Sequence, residues 1–462
     1  MIDEIYKALS LWGSNPVFVE LDGNGSEIHI NAEAFRRRIE QHVVFFNRLG
    51  IRDSVLVPIF IDNCWDYPAI FLALVQTAAI PVLLKKSYKQ LELEAIFNDT
   101  SPSVIICDDD FIPYLDLLGK QEILLISRKD GELTVVKNGT PEPGDIATDT
   151  VSVNFTYRGF GYPLGAMISE NGYLKAARRF QDYVRFTPGD RILALLPMNH
   201  IFTMISSVFL PLLNQITTYI PGSLNPKDIL QTLKTHRINY LSAIPEILIL
   251  LTKIMPKEEV FPSLQVLISG GSFLSRENHQ NIAERFKVEV LNGYGLTEIA
   301  PLTGNIREQE RFGTIGKICN DLSMIITESP DSQNGEILVE AEKTFLGYLG
   351  RPSETAAVMD GKWFKTGDTA RMEDGYLIFT GELKPTRKVN GQIVDFREVE
   401  KALLKTGLVD YAKVNGETNH IVADVRFLSD YRLEEREQRR ELRKALKGMI
   451  AEYKIPRIFR TV

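Results

Sequence analysis

Cysteine is scarce in this chain: Cys64, Cys107 and Cys319 are its only three among 462 residues. An odd number, widely spaced and without metal-ligand spacing, excludes a disulfide framework or a zinc-type site and fits reduced thiols. An excess of basic charge is also missing. The 53 Lys and Arg residues against 60 Asp and Glu give a formal charge of −7, so nothing argues electrostatically for nucleic-acid binding. Uninterrupted apolar runs fall short of the about 20 residues that a membrane-spanning helix needs. The opening Met1-Ile2-Asp3-Glu4-Ile5 carries acids where a secretory signal carries bases. The expectation is a cytoplasmic protein that does not span a membrane.

What is present is ordinary globular composition, 44% hydrophobic and 24% charged, over a length that implies two or three domains. Strand-like and helix-like runs alternate. Val17–Leu21 and Glu27–Ile30 flank Gly23-Asn24-Gly25 as a hairpin, Ser54–Ile61 reads as a strand and Tyr67–Thr77 as a helix. Such alternation predicts an α/β fold with parallel sheets. From Gly313 the pattern turns β-rich. Residues 384–462 read as a small α/β unit, and the charges of Tyr431–Met449 pair at i,i+4 as a solvated helical face.

Four stretches carry chemistry. Val288–Leu291 reads as a strand leading into Asn292-Gly293-Tyr294-Gly295-Leu296-Thr297-Glu298. Two glycines let the backbone turn and approach a flat or charged ligand. Thr297 and Glu298 supply a hydroxyl and a carboxylate suited to a phosphate and its Mg²⁺; a plain turn after a strand is the alternative. Val151–Thr156 runs into Tyr157-Arg158-Gly159-Phe160-Gly161-Tyr162-Pro163-Leu164-Gly165, with a helix from about Ser169. This is either a loop that cradles phosphate on N–H groups or an ordinary turn. Ile268-Ser269-Gly270-Gly271-Ser272 and Trp363-Phe364-Lys365-Thr366-Gly367-Asp368 complete the set. In the last, an aspartate after a glycine can accept both hydroxyls of a ribose.

In this order and spacing the blocks resemble the adenylate-forming (AMP-binding) superfamily of acyl-CoA synthetases, carrier-protein ligases and luciferases, over nearly the whole chain. The resemblance implies a large N-terminal domain of layered α/β subdomains (1–383, with 313–383 its β-rich part). A small mobile C-terminal α+β domain would follow (384–462), hinged near Lys384. It implies ATP and Mg²⁺ as cofactors, CoA or phosphopantetheine as thiol acceptor, and a small carboxylic acid as substrate, with acyl carrier protein a candidate partner. Thr156, Gly161, Gly270, Gly271, Ser272, Asn292, Gly293, Tyr294, Gly295 and Asp368 then fall at nucleotide positions. Thr297 and Glu298 fall at the metal and phosphate, Glu298 as the metal ligand. Asn390 and Gly391 fall in the loop that serves thioester formation. His200 stands where the family keeps a gate to the acyl pocket; a packed core histidine is the alternative. The apolar run Met204–Leu213 offers no carboxylate for an amino group, so a fatty or other non-amino acid is expected.

The departures matter as much. Leu164 replaces the lysine of the phosphate loop, and Tyr157, Gly159 and Phe160 replace hydroxyl-bearing residues or their neighbours. Glu382 stands for an arginine, with Lys384 or Arg387 as its candidate partner, and a terminal lysine would lie beyond Val462. Arg158 is the one new cation, binding phosphate or forming a surface ion pair. Adenylation builds charge on phosphoryl oxygens, and losing one donor typically costs ~3 kcal/mol. Three readings follow: a ligase with a remodelled phosphate site using Arg158 and Lys384, a member that binds or transfers an already activated acyl group, and a non-catalytic pathway partner.

Overall fold

Two large sheets form the body of the molecule because short, wholly apolar strands can be buried on both faces only between helical layers. The computed structural model describes residues 1–22, 26–113, 123–327, 334–341, 344–389, 391–417, 420–428 and 434–462. Among these, one sheet has nine strands and runs from Lys317–Ile318 through Glu289–Tyr294, Val266–Ser269, Tyr240–Ala243, Arg191–Ala194 and Thr217–Ile220 to the hairpin Phe18–Leu21/Glu27–Ile30. The second has eight, with Thr150–Thr156 and Leu164–Ser169 paired antiparallel beside the parallel strands Ile80–Leu83 and Leu56–Phe60. The predicted turn Gly23–Gly25 lies outside the described residues, although the strands on either side pair as expected, Phe18 opposite Ile30.

One apolar core fills the space between these sheets. It includes Tyr67, Phe71, Tyr173, Ile192, Phe209, Tyr240 and Leu291, all nearly inaccessible to solvent. The helix Asp66–Gln76 is apolar on almost every side and sits in this core, as a helix without a polar face must. A five-stranded sheet follows, built on the long strand Trp363–Glu373 flanked by Gly335–Glu340 and Tyr376–Glu382. It is the β-rich stretch foreseen after Gly313.

Beyond it, the hairpin Thr386–Val389/Gln392–Asp395 leads into the helix Phe396–Lys405. Asp395 caps that helix by accepting from the N–H groups of Arg397 and Glu398. The three strands Val409–Glu417, His420–Phe427 and Ile458–Thr461 form a separate sheet under the helix Glu435–Met449. These segments share their own apolar core, with Val394, Val399, Leu403, Val425, Leu446 and Phe459 at its centre. The fold is therefore mixed α/β with a large N-terminal and a small C-terminal body. Among the described residues no helix is long and apolar enough to cross a membrane.

Two local expectations change. Gly293 and Tyr294 do not turn: they continue the strand Glu289–Tyr294 and pair antiparallel with Thr303 and Gly304. Thr366-Gly367-Asp368 is likewise inside a strand. Gly367 adopts φ +69°, opposite a register shift between Glu336 and Leu338, so the irregularity that aims Asp368 is a bulge rather than a turn.

Candidate active site

A cavity of about 100 Å³ lies where the ends of the central strands meet the β-rich sheet and the hairpin of the small body. Its walls include the apolar Phe180, Val184, Phe202, Ile268, Leu291 and Pro301 and the charged Arg158, Glu298, Asp368, Glu382, Lys384 and Lys388. Strand ends supply most of these groups. Thr156 and Arg158 follow Thr150–Thr156, Gly270 and Gly271 follow Val266–Ser269, and Glu298 follows Glu289–Tyr294.

Arg158 is no surface residue. Its side chain is 4% exposed. Nη1 donates to the Thr366 carbonyl at 2.8 Å and Nη2 to that of Lys365 at 2.6 Å, and the guanidinium lies 4.8 Å from the centre of the Phe364 ring. Among the described residues Nε is the one guanidinium nitrogen without a hydrogen-bond partner, and it lies 3.9 Å from Glu298 Oε1. The alternative of a surface ion pair is thereby excluded. Desolvation opposes the Arg158 charge, yet Tyr348, Glu298 and Asp368 together hold it above the ordinary arginine range.

Glu298 Oε1 accepts a hydrogen bond from the Tyr348 hydroxyl. Among the described residues its Oε2 meets no protein donor, and Thr297 lines the same cavity. That donor set fits a hard cation completed by phosphate oxygens and water, the usual way Mg²⁺ is held. It would not hold a metal alone: among the described residues no three Asp, Glu, His or Cys side chains cluster for one.

Asp368 is gripped from two sides. Tyr294 Oη donates to Oδ2 at 2.7 Å, and Lys384 Nζ sits 3.1 Å from Oδ1 while donating to the Thr366 carbonyl at 2.9 Å. Burial pulls Lys384 below the ordinary lysine value, helped by the nearby Arg158 charge. Burial pushes Glu382 up, and Lys388 and Lys384 are cations that oppose that shift.

His200 lines the cavity. The Phe202 N–H donates to its Nδ1 at 3.2 Å, which puts the ring proton on Nε2. Burial, then the charges of Lys85 and Lys388, lowers its pKa to about 3. At neutral pH it is therefore a neutral donor and no reservoir of positive charge.

Of the other predicted positions, Thr156, Gly270, Gly271, Gly293, Tyr294, Gly295, Thr297 and Gly391 line the cavity, whereas Gly161, Ser272 and Asn292 are not among its walls. Asn292 points behind the strand, donating to the Thr314 carbonyl at 2.9 Å. The Gly161 N–H already donates to Asp395 Oδ2 at 3.0 Å. Asn390 lies outside the described residues. Sequence reasoning missed Tyr348 and Lys388, the latter one of a run of charges (Lys384, Arg387, Lys388) in which Lys384 alone stood at a family position, the hinge.

A protein-family model described as AMP-binding enzyme matches residues 12–349. Among curated proteins, 4-coumarate–CoA ligase-like 2 of Arabidopsis thaliana is 26% identical over 400 residues, covering 77% of this chain and 69% of that protein. Among solved structures, the amide bond synthetase McbA of Marinactinospora thermotolerans superposes with a TM-score of 0.86 at 18% identity, covering 100% of this chain and 95% of that one. The o-succinylbenzoate CoA synthetase of Bacillus subtilis, solved with a product analogue, gives 0.84 at 19% identity, covering 99% and 94%. Likeness at such identity establishes the fold.

Proposed function

Because this chain belongs to the AMP-binding enzyme family, whose general chemistry is ATP-dependent activation of acids, we propose that it is an acid–thiol ligase for a fatty or other non-amino carboxylic acid. In the first half-reaction the substrate carboxylate attacks the α-phosphorus of ATP; an O–P bond forms and pyrophosphate leaves. In the second, the thiol of CoA or of a carrier-protein phosphopantetheine attacks the acyl carbon; a C–S bond forms, the acyl–phosphate bond breaks, AMP leaves and the thiol proton is released.

The observation that carries the reading is the free Nε–H of Arg158, buried beside Glu298 in the cavity wall. A desolvated donor aimed where phosphoryl charge develops is the kind of group that lowers such a barrier. Glu298, with Thr297 beside it, would hold Mg²⁺, which when bound neutralises phosphoryl oxygens. Asp368 would accept the ribose hydroxyls once Tyr294 or Lys384 yields, and Gly270 and Gly271 leave room for a flat base. The neutral His200 on the cavity wall would serve as the gate to the acyl group. Among the described residues the three carboxylates on that wall, Glu298, Asp368 and Glu382, each face a cation, which favours a non-amino acid. Three buried thiols fit a cytoplasmic setting. The small body from about Lys384 onward is the unit expected to move between the half-reactions.

A second reading is favoured by one specific feature. The phosphate loop is already engaged by the small body, Gly161 with Asp395 and Tyr157 with Glu398, as suits a chain that transfers an acyl group activated elsewhere. Mass spectrometry for acyl-AMP separates the two. Purified protein with ATP, Mg²⁺ and a panel of fatty and aromatic acids is expected to yield an adenylate that disappears in Glu298→Ala. No adenylate with any acid, but thioester from a synthetic acyl-adenylate, would replace the first reading with the second.

A further inference from the structure

A buried ionic cluster that the site chemistry leaves unused lies at the seam between the two bodies. Lys454 is 0% exposed. Its ammonium donates to Glu92, to Tyr157 Oη at 2.6 Å and to Glu398 Oε2 at 2.7 Å, so all three N–H groups are used. Tyr157 Oη in turn donates to Glu398 Oε1 at 2.9 Å, and the second Glu92 oxygen accepts from the Lys89 N–H at 2.7 Å. Glu92 and Tyr157 belong to the large body; Glu398 and Lys454 belong to the small one. Tyr157 opens the phosphate loop itself.

Two carboxylates share one ammonium here, out of water. Such a cluster is a poor device for stability alone, since well-packed apolar residues would serve as well, but it specifies register and is costly to break piecemeal. The neighbouring contacts follow the same register. Asp395 takes the Gly161 N–H, Lys401 Nζ reaches the Gly161 carbonyl at 3.4 Å, and a Cβ at Gly159 (φ +85°) would stand 2.5 Å from Pro385. In this register Lys388, Gly391 and Ile393 of the hairpin reach the cavity wall.

We infer that Lys454, Glu398, Tyr157 and Glu92 form a latch that closes the small body on the phosphate loop, so that Tyr157 and Lys454 are positioning residues for thiol transfer. The inference rests on the ligase reading for its consequence: a latched loop cannot offer its N–H groups to a triphosphate, so adenylate formation requires the latch to open. Tyr157, which costs the loop a hydroxyl donor, is in this view the residue that ties the loop to the small body.

Hydrogen exchange on the full chain tests the latch, using variants from opposite sides of the seam. In Lys454→Met the amides of residues 157–162 are expected to exchange about tenfold faster or more, and in Tyr157→Phe to a smaller degree. The small-body strands Val409–Glu417 and His420–Phe427 should keep wild-type protection in both. In the same variants thioester formation from a synthetic acyl-adenylate should slow, while ATP–pyrophosphate exchange holds or rises. Unchanged loop protection in both variants overturns the inference. So does equal loss of protection in the small-body strands, which would make Lys454 an internal support, and so does an equal fall in both half-reactions. A protein that makes no adenylate sinks the ligase reading alone, because the exchange data still decide the latch.

Discussion

Replacing Arg158 by lysine separates its charge from its geometry. The substitution keeps a cation near Glu298 but removes the planar fork, and with it one of the two carbonyl partners and the free Nε–H. At 3.9 Å two unit charges attract with a gross energy of about 4 kcal/mol at an effective dielectric of 20, most of which a lysine retains. The structural loss is one hydrogen bond to a backbone carbonyl, about 1 kcal/mol of stability, because the Thr366 carbonyl keeps Lys384 as a donor. The catalytic loss is the preorganised donor, ~3 kcal/mol or two to three powers of ten in adenylate formation. These two losses are independent of each other, which is what makes the substitution informative.

The assay is ATP–pyrophosphate exchange at saturating ATP and Mg²⁺, with thermal unfolding measured in parallel. Arg158→Lys is expected to melt somewhat lower and to lose roughly a hundredfold or more in exchange rate. Thioester formation from a preformed adenylate should fall far less, since pyrophosphate has already gone. A folded variant that keeps exchange within about fivefold of wild type would refute the reasoning, because an N–H worth that little cannot be the substitute cation. Arg158 would then be only a clamp between the phosphate loop and the strand Trp363–Glu373.

His200 gives a stability prediction with a definite sign. Its folded pKa of about 3 lies below the ordinary 6.5, so between those values the unfolded chain binds a proton that the folded chain refuses. The stability it permits is intact above pH 6.5 and falls as the pH drops toward 3, by at most about 1.4 kcal/mol per pH unit and less because the ring is partly exposed. Urea unfolding at pH 7 and pH 5 should show a shallower loss for His200→Phe than for wild type; equal losses would show the imidazole to be protonated in the fold. Gly391→Ala should affect the second half-reaction selectively. Gly391 has φ +75° and a Cβ there would lie 2.8 Å from Ile244 Cδ1, so about 1–2 kcal/mol of backbone strain adds to a clash at the cavity mouth. Thiol transfer should slow while pyrophosphate exchange does not, and equal slowing of both would remove Gly391 from the thiol side.

The order of elements was legible because burial leaves periodic traces. The helix Asp66–Gln76 and the strands Phe18–Leu21, Leu56–Phe60 and Thr150–Thr156 lie within a residue or two of where apolar runs put them. The two glycine stretches were harder. Gly293 is in a strand because it pairs with Gly304, and Gly367 because the Glu336 carboxylate accepts its N–H while the Leu383 N–H donates to its carbonyl; no local pattern announces such partners. Much of the site was legible for the opposite reason, that ligand chemistry restricts residue type. Thr297, Glu298 and Asp368 had to be hydroxyl or carboxylate to serve phosphate, metal and ribose, and all three line one cavity.

What was not legible was compensation. Read one by one, Tyr157 and Arg158 are departures that weaken a phosphate loop, and Lys454 is one lysine in a charged tail. In the fold each departure has a long-range partner. Arg158 is set by the carbonyls of Lys365 and Thr366, more than 200 positions away, and Tyr157 by Lys454, nearly 300 away. Aromatic bulk at Tyr157 also shields the Lys454 ammonium, which lies 3.9 Å from its ring centre, strengthening a pair that water would otherwise screen. A sequence reading scores each altered residue against the role it vacated. The physical question is which new neighbour it satisfies, and for these two residues the answer is a contact to another subdomain, so that the phosphate loop here is shaped by what docks on it as well as by what it could bind.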